Sequence, residues 1–327
     1  MTHRDADDTA TMRAVVIDSF GGPEQLRERE VPVPPPGPGQ VLIRLEAAGV
    51  GSWDPFEREG GYAEMQGTSP SFPYVLGSEG AGTIAAVGDG VTSRAVGERV
   101  FAASFLNPAG GFYAEYVCVD ADLVAPIPAG MSTSKAAVMG GVGMTALRGL
   151  QDALEVRSGE TLLVHGASGA MGHLAVQLGK RLGARVLAVA SGEDGVALAV
   201  RVGGDLTIDG RAESVADGAR RFSADGLDAA LLTAGGPQAD AAVAALRPGG
   251  RAVYPTGVQP EPASTSGIEP QAFNGEPDPE LLERFIALMG DRPLDVHIAR
   301  EFGFDQIPAA HHALGEHHLG KLAIAIG

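Results

Sequence analysis

The sequence has one cysteine, Cys118, among its 327 residues. A single cysteine excludes an internal disulfide and any zinc site built from several thiolates, and it makes a reducing cytoplasm the expected compartment. Long apolar runs are also missing, since no stretch approaches the ~20 residues that a membrane-spanning helix needs. The segment from Met1 to Thr11 is polar and acidic and lacks the apolar region of a secretory signal. We therefore expect a disordered tail over residues 1–11 and a cytoplasmic protein.

Basic residues are scarce, because 24 Lys and Arg stand against 41 Asp and Glu and give a formal net charge of −17. Such a charge repels phosphate backbones, so nucleic acid is not an expected partner. An anionic dinucleotide can still bind, because main-chain dipoles act on it at close range. Hydrophobic residues make up 44% and charged residues 20% of the chain. This composition suits a globular protein that is long enough for two domains.

The most informative motif runs from Gly159 to Lys180 and reads G-E-T-L-L-V-H-G-A-S-G-A-M-G-H-L-A-V-Q-L-G-K. An apolar strand pattern, a glycine turn and a helical pattern follow one another, which predicts a dinucleotide-binding site rather than an ordinary strand–helix turn. Gly166 allows unusual dihedral angles, Gly169 leaves space for a pyrophosphate, and Gly172 allows helix and strand to pack closely. The N–H groups at the helix start would face the phosphates. The predicted cofactor contacts are Gly166, Ala167, Ser168, Gly169, Ala170, Met171 and Gly172.

The periodicity of the sequence changes near residue 134. Short strands with glycine turns over residues 12–134 predict a partly closed, antiparallel, β-rich domain. From residue 135 strands alternate with helices, which predicts an α/β domain with a doubly wound parallel sheet over 135–264. Residues 256–277 are rich in Pro, Gly and Ser and are expected to form a connecting loop. Cys118 lies in an apolar strand pattern and is expected to be a small core residue.

Three segments resemble the medium-chain dehydrogenase/reductase superfamily, and the resemblance runs over essentially Met12–Gly327. The segment from Phe72 reads F-P-Y-V-L-G-S-E-G-A-G-T-I-A-A-V-G-D-G-V and resembles the N-terminal signature of that superfamily. Gly97–Phe101 resembles its G-D-R-V-F continuation. Gly159–Lys180 resembles the quinone oxidoreductase signature, with Ala170 where glycine is usual. The chain is most similar to the zinc-independent quinone oxidoreductase branch, which includes the zeta-crystallin-like proteins.

This resemblance implies a GroES-like, β-rich catalytic domain, formed by residues 12–134 and 265–327, around a Rossmann domain. It also implies an active site in the cleft between the two domains. The implied reaction transfers hydride from a nicotinamide cofactor to a quinone or an α,β-unsaturated carbonyl compound. Two alternatives stay open: a zinc-free alcohol or ketone oxidoreductase, and a non-catalytic NADP(H)-binding sensor or crystallin-like protein.

Zinc ligands are missing where the zinc-dependent relatives carry them. Gly51 stands at the place of the catalytic thiolate and Ser78 at the place of a histidine, and neither is a competent zinc ligand. Without a Lewis acid, simple alcohol oxidation is disfavoured. Conjugated acceptors are favoured, because they delocalise the incoming charge onto oxygen. Four C-terminal histidines are interpreted as part of a solvated helix rather than a metal site: His311, His312, His317 and His318.

The resemblance implies that the segment from Gly51 to Phe56 edges the substrate cleft. Its aromatic rings could stack on a flat acceptor or pack within the β-rich domain. Asp54 is expected to orient this loop, with proton donation as the alternative. Tyr62 is a candidate proton donor or oxyanion partner, with an exposed loop tyrosine as the alternative. The candidate substrate contacts are Gly51, Ser52, Trp53 and Phe56.

Further cofactor contacts are expected outside the glycine turn. Thr145 is expected beside the nicotinamide, because its segment resembles the one that leads into the Rossmann domain. The second Rossmann strand ends at Ser191, where small residues leave room for a 2′-phosphate, whereas an aspartate at this tip would indicate NAD. A dianionic phosphate needs a cation, and Arg211 and Lys321 are the candidate suppliers. NADPH is the expected cofactor, NADH is the alternative, and no zinc is expected. The remaining candidate contacts are Ala234, Gly235 and Gly257.

The segment Gly250–Thr256 is interpreted as the final strand of the Rossmann sheet. An edge strand exposes unpaired N–H and C=O groups. Relatives pair this edge with the same strand of a second subunit in a two-fold interface. We therefore expect a homodimer through the Rossmann-sheet edge and a small-molecule quinone or enone substrate, without a nucleic-acid or membrane partner.

Overall fold

A computed structural model describes residues 10–67, 70–265 and 267–327 of the chain. Residues 1–9 of the predicted tail lie outside the described residues, and Thr11 is already the first residue of a strand. The chain divides into two compact units. The first contains the residues up to Gly140 together with 300–316 and 322–327, and the second contains 141–299 and 317–321. No helix within the described ranges is long and apolar enough to cross a membrane.

Strands and helices are numbered in chain order. The strands are β1 (Thr11–Ile17), β2 (Arg27–Pro32), β3 (Gln40–Val50), β4 (Tyr74–Val75), β5 (Glu79–Val87), β6 (Arg99–Ala103), β7 (Tyr116–Asp120), β8 (Val124–Pro126), β9 (Thr161–His165), β10 (Arg185–Ala190), β11 (Leu206–Asp209), β12 (Leu227–Leu232), β13 (Leu246–Pro255), β14 (Gln271–Phe273), β15 (Ile298–Gly303) and β16 (Lys321–Ala325). The helices are α1 (Trp53–Arg58), α2 (Gly61–Gln66), α3 (Thr133–Ala137), α4 (Gly140–Arg148), α5 (Gly172–Arg181), α6 (Gly192–Arg201), α7 (Val215–Phe222), α8 (Pro237–Ala244), α9 (Pro279–Met289) and α10 (Ile307–Ala313).

The first unit is rich in antiparallel strands, as predicted. One sheet has the order β2-β1-β4, and a larger one has the order β15-β16-β3-β5-β6-β8, with β7 also paired to β3. Apolar side chains of β3 such as Val41 and Ile43 are completely buried, together with the aromatic residues Phe112 and Tyr113. Cys118 is buried, which confirms it as a small core residue.

The second unit contains a six-stranded parallel sheet in the order β11-β10-β9-β12-β13-β14. The first strand of this sheet, β9, lies in the middle, and the later strands are added first on one side and then on the other. This is the strand order of a doubly wound dinucleotide-binding sheet. Every residue of β9 is buried, as expected for a parallel strand covered on both faces. The predicted α/β class and Rossmann architecture are therefore confirmed.

The boundaries of the second unit differ from the predicted ones. The unit runs over residues 141–299 and 317–321 rather than over 135–264. The reason is β14, which lies inside the predicted connecting loop 256–277 and pairs in parallel with β13 through three residue pairs. This pairing extends the Rossmann sheet by one strand, so the chain returns to the β-rich unit later than predicted.

The interpretation of Gly250–Thr256 as the final strand is wrong. This segment lies almost wholly in β13, which has β12 on one side and β14 on the other, so β14 is the outermost strand. Strand β14 is only three residues long, Gln271–Phe273. A strand this short offers few main-chain groups to a partner. A homodimer through the sheet edge stays a prediction, and it now concerns β14.

Candidate functional site

In the second unit, the chain passes from β9 to α5 through the glycine turn. Gly166 has a φ of +75°, and a Cβ added there would lie 2.1 Å from Thr233 Oγ1. A Cβ added at Gly172 would lie 2.0 Å from the carbonyl oxygen of Gly166. The contact at Gly172 cannot be accommodated without moving the main chain, and at Gly166 any side chain would also be strained by the positive φ. Both positions therefore require glycine for reasons internal to the protein, namely backbone conformation and close packing.

Gly169 differs from these two glycines. A Cβ added there would meet only the carbonyl oxygen of Gly166, at 3.3 Å, and its φ is not in the left-handed region. Apart from this one oxygen, the space beside the Gly169 Cα is open. This is the space that a pyrophosphate needs when it approaches the main chain of such a turn.

The same turn presents main-chain hydrogen-bond donors. The N–H groups of Gly166 and Ala167 donate to the carbonyl oxygen at position 189 in β10, at 3.0 and 2.9 Å. Those of Ala170, Met171 and Gly172 donate to no other residue in the described part of the chain. Because α5 begins at Gly172, these groups lie at a helix N-terminus, where the helix dipole favours an anion. The turn thus combines open space with donors suited to phosphate oxygens.

A buried histidine in the first turn of α5 is hydrogen-bonded to the glycine turn. His173 Nδ1 lies 2.9 Å from the carbonyl oxygen of Gly169, and Nε2 accepts a hydrogen bond from the N–H of His297 at 3.2 Å. Because Nε2 must accept, the proton is on Nδ1 and donates to Gly169, so the neutral ring uses both nitrogens. Burial lowers the pKa of His173 to about 4. Sequence reasoning missed this residue, because no local pattern marks a histidine inside an apolar helix as a support of the turn.

The tips of β10 and β11 form a second part of the candidate nucleotide site. Asp209 ends β11, and its Oδ1 accepts hydrogen bonds from the N–H groups of Arg211 at 2.9 Å and Gly192 at 3.0 Å. These hydrogen bonds lower the pKa of Asp209. The carboxylate thereby holds the loop after β11 against the Ser191–Gly192 tip. The Arg211 guanidinium lies beside this tip, since a Cβ on Gly192 would be 3.8 Å from its Nη1.

The structure separates the two candidate cations. Lys321 is buried, and its N–H donates to the carbonyl oxygen of His297, the residue whose N–H also binds His173. Lys321 is therefore part of the support of the glycine turn. Only Arg211 of the two candidates lies at the tip of β10.

The other predicted cofactor residues lie near strand ends or inside the unit. Thr145 is buried, and its hydroxyl donates to the carbonyl oxygen of Gly141 at 2.9 Å. Ala234 follows β12, and its carbonyl oxygen lies 3.2 Å from His165 Nδ1. Gly235 packs on main chain, because a Cβ there would lie 1.8 Å from the carbonyl oxygen of residue 260. Gly257 follows β13 with a φ of +97°. Ala234, Gly235 and Gly257 thus follow the carboxyl ends of strands, the side of a parallel sheet where ligands bind.

In the first unit, the predicted substrate segment follows the end of β3. Asp54 is buried, and its Oδ2 accepts a hydrogen bond from the N–H of Gly51 at 2.7 Å. Its Oδ1 accepts from the hydroxyl of Ser78 at 3.3 Å. The carboxylate thus joins the loop that contains Ser52 to the start of β5. These are the contacts that an orienting residue would make.

Four aromatic side chains gather beside this loop. The rings of Trp53 and Tyr62 stack with their centroids 5.8 Å apart, and Phe56 meets Tyr62 edge-on at 5.0 Å. Phe105 lies 6.4 Å from Trp53. Tyr62 lies in α2, is half-buried and belongs to this aromatic group, so the alternative of an exposed loop tyrosine is wrong. Sequence reasoning missed Phe105, because it reaches the group from a distant part of the chain.

Helix α1 also carries a buried glutamate. Glu57 accepts a hydrogen bond from the Tyr74 hydroxyl at 2.6 Å. Burial raises the pKa of Glu57 to about 7, with a smaller contribution in the same direction from the charge of Asp54, while the hydrogen bond acts in the opposite direction. Burial also raises the pKa of Tyr113 well above its ordinary value, and Asp54 adds to this effect. The first unit therefore holds several acidic groups out of water near the candidate substrate segment.

The interpretation of the C-terminal histidines as one solvated helix is wrong. Helix α10 ends at Ala313, and His311 is buried, with Nδ1 2.7 Å from Arg58 Nη1. Burial, followed by the charge of Arg58, lowers the pKa of His311 to about 3. His312 and His317 are exposed. Within the described ranges, no group of three or more His, Cys, Asp and Glu side chains is placed to hold a metal ion.

Comparison with known proteins gives matches in both units. Residues 37–129 match the alcohol dehydrogenase GroES-like domain, and residues 170–275 match the zinc-binding dehydrogenase family. An alcohol dehydrogenase of Rhizobium meliloti (strain 1021) is 36% identical over 253 residues, which cover 70% of this chain and 72% of that protein. A quinone oxidoreductase of Mus musculus is 37% identical over 193 residues, which cover 59% of this chain.

The match spans only 56% of the length of the mouse protein. A solved mycobacterial protein in complex with NADPH has the same fold, with a TM-score of 0.79 and 27% identity over 96% of this chain and 100% of that chain. These matches agree with the observed GroES-like and Rossmann units and with the glycine turn. The chain therefore belongs to the medium-chain dehydrogenase/reductase superfamily, among the relatives of the quinone oxidoreductases.

Proposed function

We propose that the protein is an NAD(P)H-dependent, zinc-independent oxidoreductase that reduces a quinone or an α,β-unsaturated carbonyl compound, with NADPH as its preferred cofactor. The glycine turn carries this proposal, because it offers open space at Gly169 beside main-chain N–H groups that donate to no other described residue. The similarity to a quinone oxidoreductase and to a structure solved with NADPH supports it.

The residues present fit a dinucleotide. The turn from Gly166 to Gly172 would hold the pyrophosphate, and the Ser191–Gly192 tip with Arg211 would hold the adenosine ribose and its 2′-phosphate. When bound, the nicotinamide supplies the hydride. The protein's own contribution is to orient the cofactor through these donors, and His173 keeps the turn in place through its hydrogen bond to Gly169.

The acceptor is proposed from the residues of the first unit. Gly51 and Ser78 stand where zinc-dependent relatives carry metal ligands, so a carbonyl cannot be polarised by a metal held at these positions. A conjugated acceptor needs less polarisation, because it spreads the incoming charge onto oxygen. The aromatic group around Trp53 and Tyr62 offers flat apolar faces to such a ring. Asp54 would orient the loop through its bonds to Gly51 and Ser78.

The cofactor site is tested with Gly169→Val. The Cβ of the valine would meet only the carbonyl oxygen of Gly166, at 3.3 Å, and the side chain would occupy the space proposed for the pyrophosphate. The variant should therefore fold and bind NADPH at least ~10-fold more weakly, a loss of ~1.4 kcal/mol or more. Fluorescence titration of NADPH measures the affinity, and thermal unfolding checks the fold. Gly315→Val is the matched control, because a Cβ at Gly315 would meet only a carbonyl oxygen at 3.5 Å, outside the turn. Unchanged NADPH affinity in Gly169→Val would place the cofactor elsewhere.

The reaction is tested with the wild-type protein and a panel of compounds. NADPH oxidation is followed with quinones, enones and ketones, and NADP reduction is followed with alcohols. We expect turnover of quinones or enones and little turnover of simple ketones. Turnover of ketones and alcohols alone would favour the zinc-free alcohol or ketone oxidoreductase. Tight NADPH binding without turnover of any compound would indicate a non-catalytic sensor.

A further inference from the structure

Three charged or titratable side chains from separate segments meet at the tip of β10. Arg211 Nη2 lies 3.3 Å from His317 Nδ1, and His317 Nε2 lies 3.5 Å from Asp194 Oδ2. Asp194 lies in the first turn of α6, Arg211 follows β11, and His317 lies in the short C-terminal segment that belongs to the second unit. We call Asp194, Arg211 and His317 the tip cluster.

The tip cluster lies beside Gly192. A Cβ on Gly192 would be 2.9 Å from Asp194 Oδ1 and 3.8 Å from Arg211 Nη1. The tip of the second strand is the place where a dinucleotide-binding sheet meets the adenosine ribose. A ligand that reaches Ser191 in this way would therefore meet the tip cluster.

The charges at this tip do not favour a 2′-phosphate while His317 is neutral. Arg211 is the one permanent cation of the tip cluster, and Asp194 and the nearby Asp209 are carboxylates. Glu193, next to Asp194 in sequence, adds a further negative charge. A 2′-phosphate carries about −1.5 to −2 charge at neutral pH. It would therefore meet more negative than positive charge.

Protonation of His317 changes this balance. In the neutral form, Nδ1 can accept a hydrogen bond from Arg211, whereas in the charged form both ring nitrogens donate. Two cations then lie next to each other, and a phosphate can satisfy both because it has three acceptor oxygens. NADH has a hydroxyl at the same position and gains nothing from the added charge.

On the basis of the proposed cofactor site, we propose that His317 is a specificity-determining residue for the 2′-phosphate. In its protonated form it donates to the phosphate together with Arg211, so the preference for NADPH over NADH increases as the pH falls. The groups that face His317 are Arg211 and Asp194. In sequence, Glu316 precedes it and His318 follows it, and Glu316 pairs with Arg300 at 3.5 Å.

The test compares the dissociation constants of NADPH and NADH at about pH 6 and about pH 8 by fluorescence titration. In the wild type, we expect the ratio of the NADH constant to the NADPH constant to be about three- to tenfold larger at the lower pH, as for one linked histidine proton. In His317→Gln the ratio should change no more than about twofold. His312→Gln, at an exposed histidine of the first unit, should behave like the wild type. The 2′-phosphate itself titrates near pH ~6, but it does so equally with every variant.

Two further variants keep the outcome clear. Asp194→Asn should tighten NADPH several-fold at about pH 8 and leave NADH unchanged, because it removes a competing carboxylate. Arg211→Gln should weaken NADPH at both pH values. If both nucleotides bind and the ratio varies with pH equally in the wild type and His317→Gln, the role of His317 is wrong while the proposed function stands. If the wild type binds neither nucleotide, the proposed function and this inference both fail.

Discussion

Replacing Glu57 with glutamine should make the stability of the first unit less dependent on pH. Glu57 is buried, receives a hydrogen bond from Tyr74 at 2.6 Å and has its pKa raised to about 7. The neutral amide of glutamine resembles the protonated acid and can still accept the hydrogen bond from Tyr74. The substitution therefore removes the titration while it largely preserves the packing.

The magnitude follows from the pKa of Glu57. A rise from an ordinary 4.5 to about 7 corresponds to about 3 kcal/mol, at ~1.36 kcal/mol per pH unit. Because the folded protein holds this proton more tightly than the unfolded chain, the stabilisation is fully present below pH ~4.5 and is lost as the pH rises through ~7. The free energy of unfolding of the wild type should thus fall by about 3 kcal/mol relative to Glu57→Gln between these values.

The assay is equilibrium urea unfolding at about pH 5, 6, 7 and 8. Trp53 is the only tryptophan of the chain and lies on the same helix as Glu57, so its fluorescence reports on this region. Buried histidines such as His311 also titrate, but they contribute equally to both proteins and cancel in the difference. Glu64→Gln, at an exposed glutamate of α2, is the matched control and should differ from the wild type by the same amount at every pH.

A difference between wild type and Glu57→Gln that stays constant from about pH 5 to about pH 8 would refute the reasoning. It would mean that the Glu57 carboxyl reaches water or a cation in solution. If the wild type instead gained stability relative to Glu57→Gln as the pH rises, Glu57 would be stabilised in its charged form.

Three further predictions concern the turn, the metal and the assembly. Gly172→Ala should destabilise the protein by about 3 kcal/mol or more and lower its melting temperature, because the added Cβ would lie 2.0 Å from a carbonyl oxygen. Gly169→Ala is the control and should melt within a few degrees of the wild type. Equal melting temperatures of all three proteins would contradict the packing argument. Metal analysis should find less than one zinc per chain, and chelators should leave activity unchanged; one zinc per chain, lost together with activity, would show that the protein is zinc-dependent. Light scattering at micromolar concentration should give twice the 33.4 kDa of one chain, and the mass of a single chain would rule out the homodimer.

The features that could be predicted from the sequence are those whose parts are neighbours along the chain. The strand, glycine turn and helix between Gly159 and Lys180 form one contiguous unit, so backbone geometry and the spacing of small residues suffice to indicate it. The change from strands to alternating strands and helices likewise follows from local periodicity, and the α/β class and parallel sheet are confirmed.

Other features were decided by tertiary structure, because they depend on contacts between distant residues. Strand β14 lies in a segment whose composition predicts a loop, and it exists because its three residues find hydrogen-bond partners on β13. This pairing moved both the sheet edge and the unit boundary away from their predicted places. Composition cannot show such a pairing, since it involves the spatial position of β13.

Burial and charge pairing were also decided by contacts between residues that are distant in sequence. Glu57 and His311 acquire their shifted pKa values from packing around them, and His317 meets Arg211 across more than a hundred residues of sequence. The sequence shows which side chains can ionise, but only the surrounding structure sets their pKa values. For this protein, the sequence by itself determined the glycine turn and the fold class, and the tertiary structure decided which titratable groups lie at the turn, in the core and at the tip of β10.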